Sequence, residues 1–174
     1  MTNQPQAYVA VVGPGHLTAG DPLLASAYEV GAALATAGAA VVTGGLGGVM
    51  AAACRGAADA GGLTLGLLPG TDRAAANPWL TLSVPSGLGE ARNALVVRSA
   101  DAVIAVGGSW GTLSEVALAC RLGRVVISLA GWSVQDSSGA AVSDEPTTAC
   151  DPAEAVRAAL AAARQSGAQP TRGA

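Results

Sequence analysis

The chain has 174 residues, 51% of them hydrophobic, and a formal net charge of −3 at pH 7. This length suffices for one domain with a sizeable core, and the weakly acidic balance gives no reason to expect a nucleic-acid partner. No apolar stretch approaches the length of a membrane span, and the polar residues 1–7 predict no signal peptide. We therefore expect one cytoplasmic domain over residues 1–174 that binds neither nucleic acid nor membrane.

The sequence contains nine arginines and no lysine. This absence excludes Schiff-base chemistry, including a lysine-anchored pyridoxal phosphate, and it excludes a Walker A loop. The cysteines Cys54, Cys120 and Cys150 are odd in number and far apart, which argues against a disulfide framework or a zinc site. We expect neither a metal nor a resident cofactor.

Apolar strands alternate with helical patterns along the whole chain. Strands are predicted at residues 8–12, 39–43, 63–68, 80–84, 102–106 and 125–129. Helices are predicted at residues 22–38, 49–60, 88–99, 112–123 and 152–164, a surface loop at 132–150 and a frayed tail at 165–174. Strands that are apolar throughout are typical of a parallel sheet covered on both faces. We predict an α/β fold, a single Rossmann-like three-layer sandwich with its core at residues 8–164.

Three glycine-rich turns follow the first, second and fifth predicted strands. The carboxyl ends of parallel strands meet at one edge of the sheet, where ligands bind in such folds. In the third turn a helix begins directly after the glycines, and its free N–H groups form an anion site. Three such turns together favour a nucleotide-sized ligand. The predicted nucleotide- and phosphate-binding residues are Gly13, Gly44, Gly45, Gly47, Gly48, Gly107, Gly108, Ser109, Gly111 and Thr112.

Two familiar motifs are matched only in part. Met50 stands where a dinucleotide-binding turn has its last glycine, and no acidic residue ends the second strand, which disfavours an NAD enzyme. Residues 107–111 match the Gly-x-Ser-x-Gly nucleophile elbow. However, the one histidine, His16, lies upstream of Ser109, whereas that fold places its histidine last. A serine hydrolase is therefore disfavoured.

Two charged residues are candidates for the site. Glu115 lies three residues after Thr112 on the same helical face, and a carboxylate beside a phosphate cradle suggests chemistry or a contact to ribose hydroxyls. The alternative is a capping box, since Thr-x-x-Glu is also that pattern. Arg92 is expected near the carboxyl ends of the strands, with a surface salt bridge as its alternative role. Arg98 is expected to face solvent or to pair locally.

Three segments of the sequence resemble motifs of the Lonely Guy (LOG) family, whose members are often mislabelled as lysine decarboxylases. Residues 107–115 resemble the family signature Pro-Gly-Gly-x-Gly-Thr-x-x-Glu, with Val106 in place of the proline, and residues 44–50 resemble Gly-Gly-x-x-Gly-[Leu/Val]-Met. A third element, Glu-Arg-Lys followed by Asp and a buried strand, resembles Glu90 to Asn93 and Asp101, with Asn93 in place of the lysine. A lysine decarboxylase is untenable in a chain without lysine.

The resemblance implies a small phosphorylated ligand and a homodimer or homotetramer. In one branch of the family, members release the free base from a nucleoside 5′-monophosphate, which would make Arg92 and Glu115 catalytic. Glu115 would stabilise an oxocarbenium-like sugar or orient water, and Arg92 would hold the phosphate or position Glu115. A sister branch includes a molybdenum cofactor carrier. The leading interpretation is hydrolysis of the N-glycosidic bond, and the alternative is a non-catalytic carrier of a phosphorylated pterin such as the molybdenum cofactor.

Overall fold

The computed structural model describes residues 4–142 and 145–167. Seven strands form the sheet, and five helices accompany them. The strands are β1 (Tyr8–Val12), β2 (Ala40–Thr43), β3 (Thr64–Leu68), β4 (Leu82–Pro85), β5 (Ala102–Val106), β6 (Val125–Leu129) and β7 (Thr147–Ala149). The helices are α1 (Pro22–Thr36), α2 (Gly48–Asp59), α3 (Asn93–Arg98), α4 (Trp110–Arg121) and α5 (Pro152–Gly167), with 3-10 turns at Arg73–Ala75 and Gly89–Arg92.

The sheet is parallel throughout, in the order β4-β3-β2-β1-β5-β6-β7. The direction in which strands are added reverses between β1 and β5, and in open α/β sheets a ligand crevice lies at this reversal, outside the carboxyl ends of the strands. Helices α1, α2 and α5 pack on one face of the sheet, and α3 and α4 pack on the other. The predicted α/β fold with a parallel sheet covered on both faces is confirmed.

Small residues let the helices on the first face approach closely. A Cβ added at Gly31 of α1 would lie 2.0 Å from the Ala53 carbonyl oxygen, and one added at Gly56 of α2 would lie 2.0 Å from the Tyr28 carbonyl oxygen. The backbones of α1 and α2 are therefore in direct contact, which larger side chains would prevent. The abundance of alanine and glycine thus sets the spacing of this helix pair.

Several predicted boundaries differ from those in the structure. Strand β4 begins at Leu82, and the helix predicted at 88–99 is a 3-10 turn followed by six helical residues. Helix α4 begins at Trp110, before the predicted start, and α5 continues to Gly167; residues 168–174 of the predicted tail lie outside the described residues. The predicted loop 132–150 contains β7, a short edge strand whose two threonines are exposed and so lack the apolar pattern of the inner strands. Among the described residues, no helix is long and apolar enough to cross a bilayer.

Candidate functional site

The turn after β5 presents unpaired backbone amides at the start of α4. Ser109 caps this helix, because its Oγ accepts a hydrogen bond from the Thr112 amide at 3.1 Å and lies 2.8 Å from the Thr112 Oγ1. Within residues 4–142 and 145–167, the amides of Gly108, Ser109, Trp110 and Gly111 have no protein acceptor. These four donors lie at the positive end of a twelve-residue helix, an arrangement suited to an anion.

Ser109, which caps α4, stands where the family signature has a glycine. Counted back from Glu115, the signature has its proline at the position of Gly107, not Val106, and its second glycine at the position of Ser109. Ser109 uses its hydroxyl to cap α4, so the capping box considered as the alternative for Thr112 and Glu115 is wrong. The Ser109 hydroxyl hydrogen-bonds to Thr112. His16 is exposed in the turn after β1.

Glu115 instead forms a buried pair with Arg92. The Arg92 Nη1 lies 3.5 Å from the Glu115 Oε1, and each side chain is only 9% exposed. Burial raises the pKa of Glu115 to about 7, against the opposing effect of the Arg92 charge. Burial also lowers the pKa of Arg92. The surface salt bridge considered for Arg92 is therefore wrong, whereas Arg98 is exposed as expected.

The guanidinium of Arg92 also lies against the turn after β2. A Cβ added at Gly44 would lie 2.5 Å from the Arg92 Nη2 and 2.7 Å from its Cζ, so Gly44 leaves the room that the guanidinium occupies. Arg92 thereby spans the carboxyl edge of the sheet from Gly44 to Glu115 on α4. Its Nη1 also donates to the Asn93 Oδ1. Asn93, which replaces the family lysine, thus helps to hold the arginine.

The Nε of Arg92 is a buried donor that has no acceptor among the described residues. A buried donor without a partner costs about 1–3 kcal/mol, and such groups cluster where a ligand or an ordered water completes the site. The orphaned Nε and the four unpaired amides lie on elements that meet at the same edge of the sheet. These features point to a bound anion between the turns after β2 and β5.

The glycines of the first two turns have a packing role that needs no ligand. A Cβ at Gly13 would lie 2.5 Å from the Val106 carbonyl oxygen, and one at Gly48 would lie 2.1 Å from the Pro14 carbonyl oxygen. One at Gly47 would lie 3.0 Å from the Gly15 carbonyl oxygen. The Val49 amide, in the first turn of α2, already donates to the Pro14 carbonyl at 3.0 Å. This helix start is therefore closed off in part, unlike that of α4.

Sequence reasoning missed Asn77, which anchors the turn after β2. The Asn77 Nδ2 donates to the carbonyls of Gly45 at 3.2 Å and Leu46 at 3.1 Å, and its backbone amide donates to Gly45 at 2.9 Å. Gly45 itself has a φ of 77° and leaves space for the Leu68 side chain. The only sequence signal was an asparagine in a loop, which is common in loops of every kind.

Sequence reasoning also missed an aromatic pair beside the turn after β5. The rings of Trp110 and Trp132 have centroids 5.3 Å apart and planes at 82°. Trp132 covers Gly108, since a Cβ there would lie 2.4 Å from the Trp132 Cδ1. No pattern in the sequence relates a residue of α4 to one in the loop after β6.

A family model described as the SLOG cluster4 family matches residues 6–159. The molybdenum cofactor binding protein of Rippkaea orientalis is 34% identical, with a TM-score of 0.79 over 91% of this chain and 96% of that one. The Moco carrier protein of Chlamydomonas reinhardtii is 32% identical, with a TM-score of 0.77 over 91% of this chain and 98% of that one. An uncharacterized protein of Archaeoglobus fulgidus is 39% identical over 121 residues, 70% of this chain and 78% of its own length.

Proposed function

The chain belongs to the SLOG cluster4 family, and from that premise we propose that it binds and carries a small phosphorylated ligand, the phosphorylated pterin of the molybdenum cofactor. A molybdenum cofactor binding protein and a Moco carrier protein each match more than nine-tenths of the chain at 32–34% identity, which supports a carrier role over hydrolysis. The observation on which the proposal depends is the orphaned, buried Arg92 Nε, at the same edge of the sheet as the unpaired amides of the third turn.

The phosphate would bind to the amides of residues 108–111, where the positive end of α4 adds to their attraction. Thr112 was among the predicted phosphate-binding residues, but its amide already donates to the Ser109 Oγ and would not bind the phosphate. Arg92 would contribute the Nε that has no protein acceptor. A charge-assisted hydrogen bond to phosphate is about twice as strong as a neutral one, so Arg92 is expected to contribute much of the affinity.

The test is cofactor loading in cells that make the molybdenum cofactor. Molybdenum per protein is measured by mass spectrometry, and the bound pterin is measured by its fluorescence after oxidation. Wild type is expected to carry both, Arg92→Ala to lose loading by tenfold or more, and the matched control Arg98→Ala to load normally, because Arg98 is exposed. Unloaded wild type, or equal loading of both variants, would overturn the proposal.

A second candidate, hydrolysis of a nucleoside 5′-monophosphate, has one observation in its favour. Glu115 is buried beside Arg92, and burial raises its pKa to about 7. A carboxyl that titrates near neutral pH is suited to proton transfer. In this candidate Glu115 acts on the developing sugar cation or the attacking water, and Arg92 holds the phosphate or orients Glu115.

An assay of free-base release from AMP, GMP, CMP and UMP, measured by chromatography, distinguishes the hydrolase from the carrier. If hydrolysis occurs, Glu115→Gln is expected to lower turnover by roughly a hundredfold or more while nucleotide affinity stays nearly unchanged. If wild type binds these nucleotides and releases no base, hydrolysis is excluded and the carrier function remains.

Light scattering after size-exclusion chromatography tests the homodimer or homotetramer that the family resemblance implies.

A further inference from the structure

Two tryptophans stand exposed at the edge of the turn that carries the unpaired amides. Trp110, the first residue of α4, is 80% exposed, and Trp132 is 47% exposed. Their rings meet edge to face, with planes at 82°. An indole as open as that of Trp110 gains little from the fold, so its exposure beside a binding turn points to a recognition surface.

The backbone is arranged to hold Trp132 over this turn. Ala130 has a φ of 53° and is the one non-glycine of the described residues with a positive φ, a conformation that costs an alanine free energy. Gly131 then packs on Ser128, whose Oγ would lie 2.4 Å from an added Cβ. A Cβ added at Gly108 would lie 2.5 Å from the Trp132 Nε1. The indole N–H therefore lies at the margin of the unpaired amides.

We infer that Trp110 and Trp132 recognise a planar heteroaromatic ring on the phosphorylated ligand. This inference rests on the proposed function and adds the ring specificity to it. Indole faces stack on any flat π system, and the perpendicular pair offers the ring a face and an edge. The amides of residues 108–111 would take the phosphate while the indoles hold the ring. A fused bicyclic ring, as in a pterin or a purine, fits this chemistry.

The neighbouring amides argue for this ligand over a second protein surface. An apolar protein face laid over Trp110 and Trp132 would cover the adjacent turn and leave the amides of residues 108–111 buried without acceptors. A molecule that joins a phosphate to an aromatic ring satisfies the amides and the indoles together. The ligand of the two tryptophans and the neighbouring amides is therefore a small phosphorylated heteroaromatic compound.

Calorimetry with three phosphomonoesters tests the inference: 6-hydroxymethylpterin phosphate, GMP and glycerol 3-phosphate, which has no ring. Wild type is expected to bind the two ring compounds about tenfold more tightly than glycerol 3-phosphate. Trp110→Ala is expected to lose this preference and keep its affinity for glycerol 3-phosphate, whereas Trp110→Phe keeps most of the preference. Tyr8→Ala is the matched control, because Tyr8 is an exposed aromatic residue at the opposite, amino edge of the sheet.

The outcomes separate this inference from the function on which it rests. If wild type binds none of the three compounds, the phosphate site and the inference both fail. If it binds all three without a ring preference, or if Trp110→Ala and Trp132→Ala retain that preference, the inference is overturned and phosphate binding stands. A Trp110→Ala variant that keeps the preference and breaks up an oligomer would assign the pair to an interface between copies and overturn the inference as well.

Discussion

The turn after β2 and the turn after β5 are both rich in glycine, yet their surroundings differ. In the first, Asn77 holds the carbonyls of Gly45 and Leu46, and Gly48 packs on the Pro14 carbonyl oxygen. In the second, four amides have no protein acceptor, and a Cβ at Gly111 would meet nothing nearer than the Ser109 Oγ at 3.8 Å. The glycines of the first turn thus pack closely, whereas the second turn combines a packed Gly108, covered by Trp132, with an open Gly111 that permits ligand approach.

The difference shows what an anion site requires beyond glycine. A helix start can bind a ligand only if its amides remain unpaired. At the start of α2, the Val49 amide already donates a hydrogen bond to the Pro14 carbonyl oxygen. Arg92 connects the two regions, since it contacts Gly44 in the first and pairs with Glu115 on the helix that follows the second. Substitutions in each turn should therefore separate stability from binding.

The largest effect is expected from Gly48→Ala in the packed turn. Gly48 has a φ of 59°, and its added Cβ would lie 2.1 Å from a backbone oxygen that cannot move without the turn after β1. The left-handed conformation and the overlap together are expected to destabilise the fold by about 2–5 kcal/mol. Urea unfolding measures the change; a loss below about 1 kcal/mol would show that this turn is not packed as described.

The next effect is a pH dependence of stability that comes from Glu115. The pKa of about 7 for Glu115 in the folded state exceeds the ordinary value of 4.5, so between these pH values the folded state holds more protons than the unfolded state. Stability therefore falls as pH rises from 4.5 to 7 and levels off above, by up to about 3 kcal/mol for this group.

Unfolding of wild type and of Glu115→Gln across this pH range isolates the Glu115 effect. The stability of wild type relative to the variant is expected to decrease from acid to neutral pH, because glutamine does not titrate. A constant difference between the two proteins over the same range would contradict the raised pKa.

A smaller loss is expected from Asn77→Ala, which leaves two backbone carbonyls of the packed turn with fewer donors. The cost of such a loss is about 1–3 kcal/mol, and we expect the lower end because the Asn77 backbone amide still donates to Gly45. Glu29→Ala, at an exposed residue of α1, serves as the comparison in the same unfolding assay. Equal stability of wild type and Asn77→Ala would remove the anchoring role.

The smallest change in stability is expected from Gly111→Ala in the open turn. Gly111 is exposed in the first turn of α4, where alanine is the better helix former, so the free energy of unfolding should change by less than about 1 kcal/mol. The added methyl group would crowd the unpaired amides and lower phosphate affinity, as measured by calorimetry with glycerol 3-phosphate. Unchanged affinity would place the anion elsewhere.

Local patterns in the sequence were enough to predict the layered architecture. Buried strands such as β1 and β5 are apolar throughout, which is typical of a parallel sheet covered on both faces. The exposed threonines of β7 escaped that pattern, because an edge strand does not need an apolar run. In the site, Arg92 and Glu115 were identified together only through the family resemblance, since nothing in either segment alone shows that they meet.

The sequence by itself determined the alternation of strands and helices, the glycine turns after β1, β2 and β5, and the exclusion of lysine chemistry. These properties depend on residue type and on short-range periodicity, which are read along the chain. Only the tertiary structure decided that Arg92 fills the space beside Gly44 and pairs with Glu115, that Ser109 caps α4, and that Trp132 covers Gly108. Most of these contacts join distant segments, and the burial that raises the pKa of Glu115 exists only once those segments pack together.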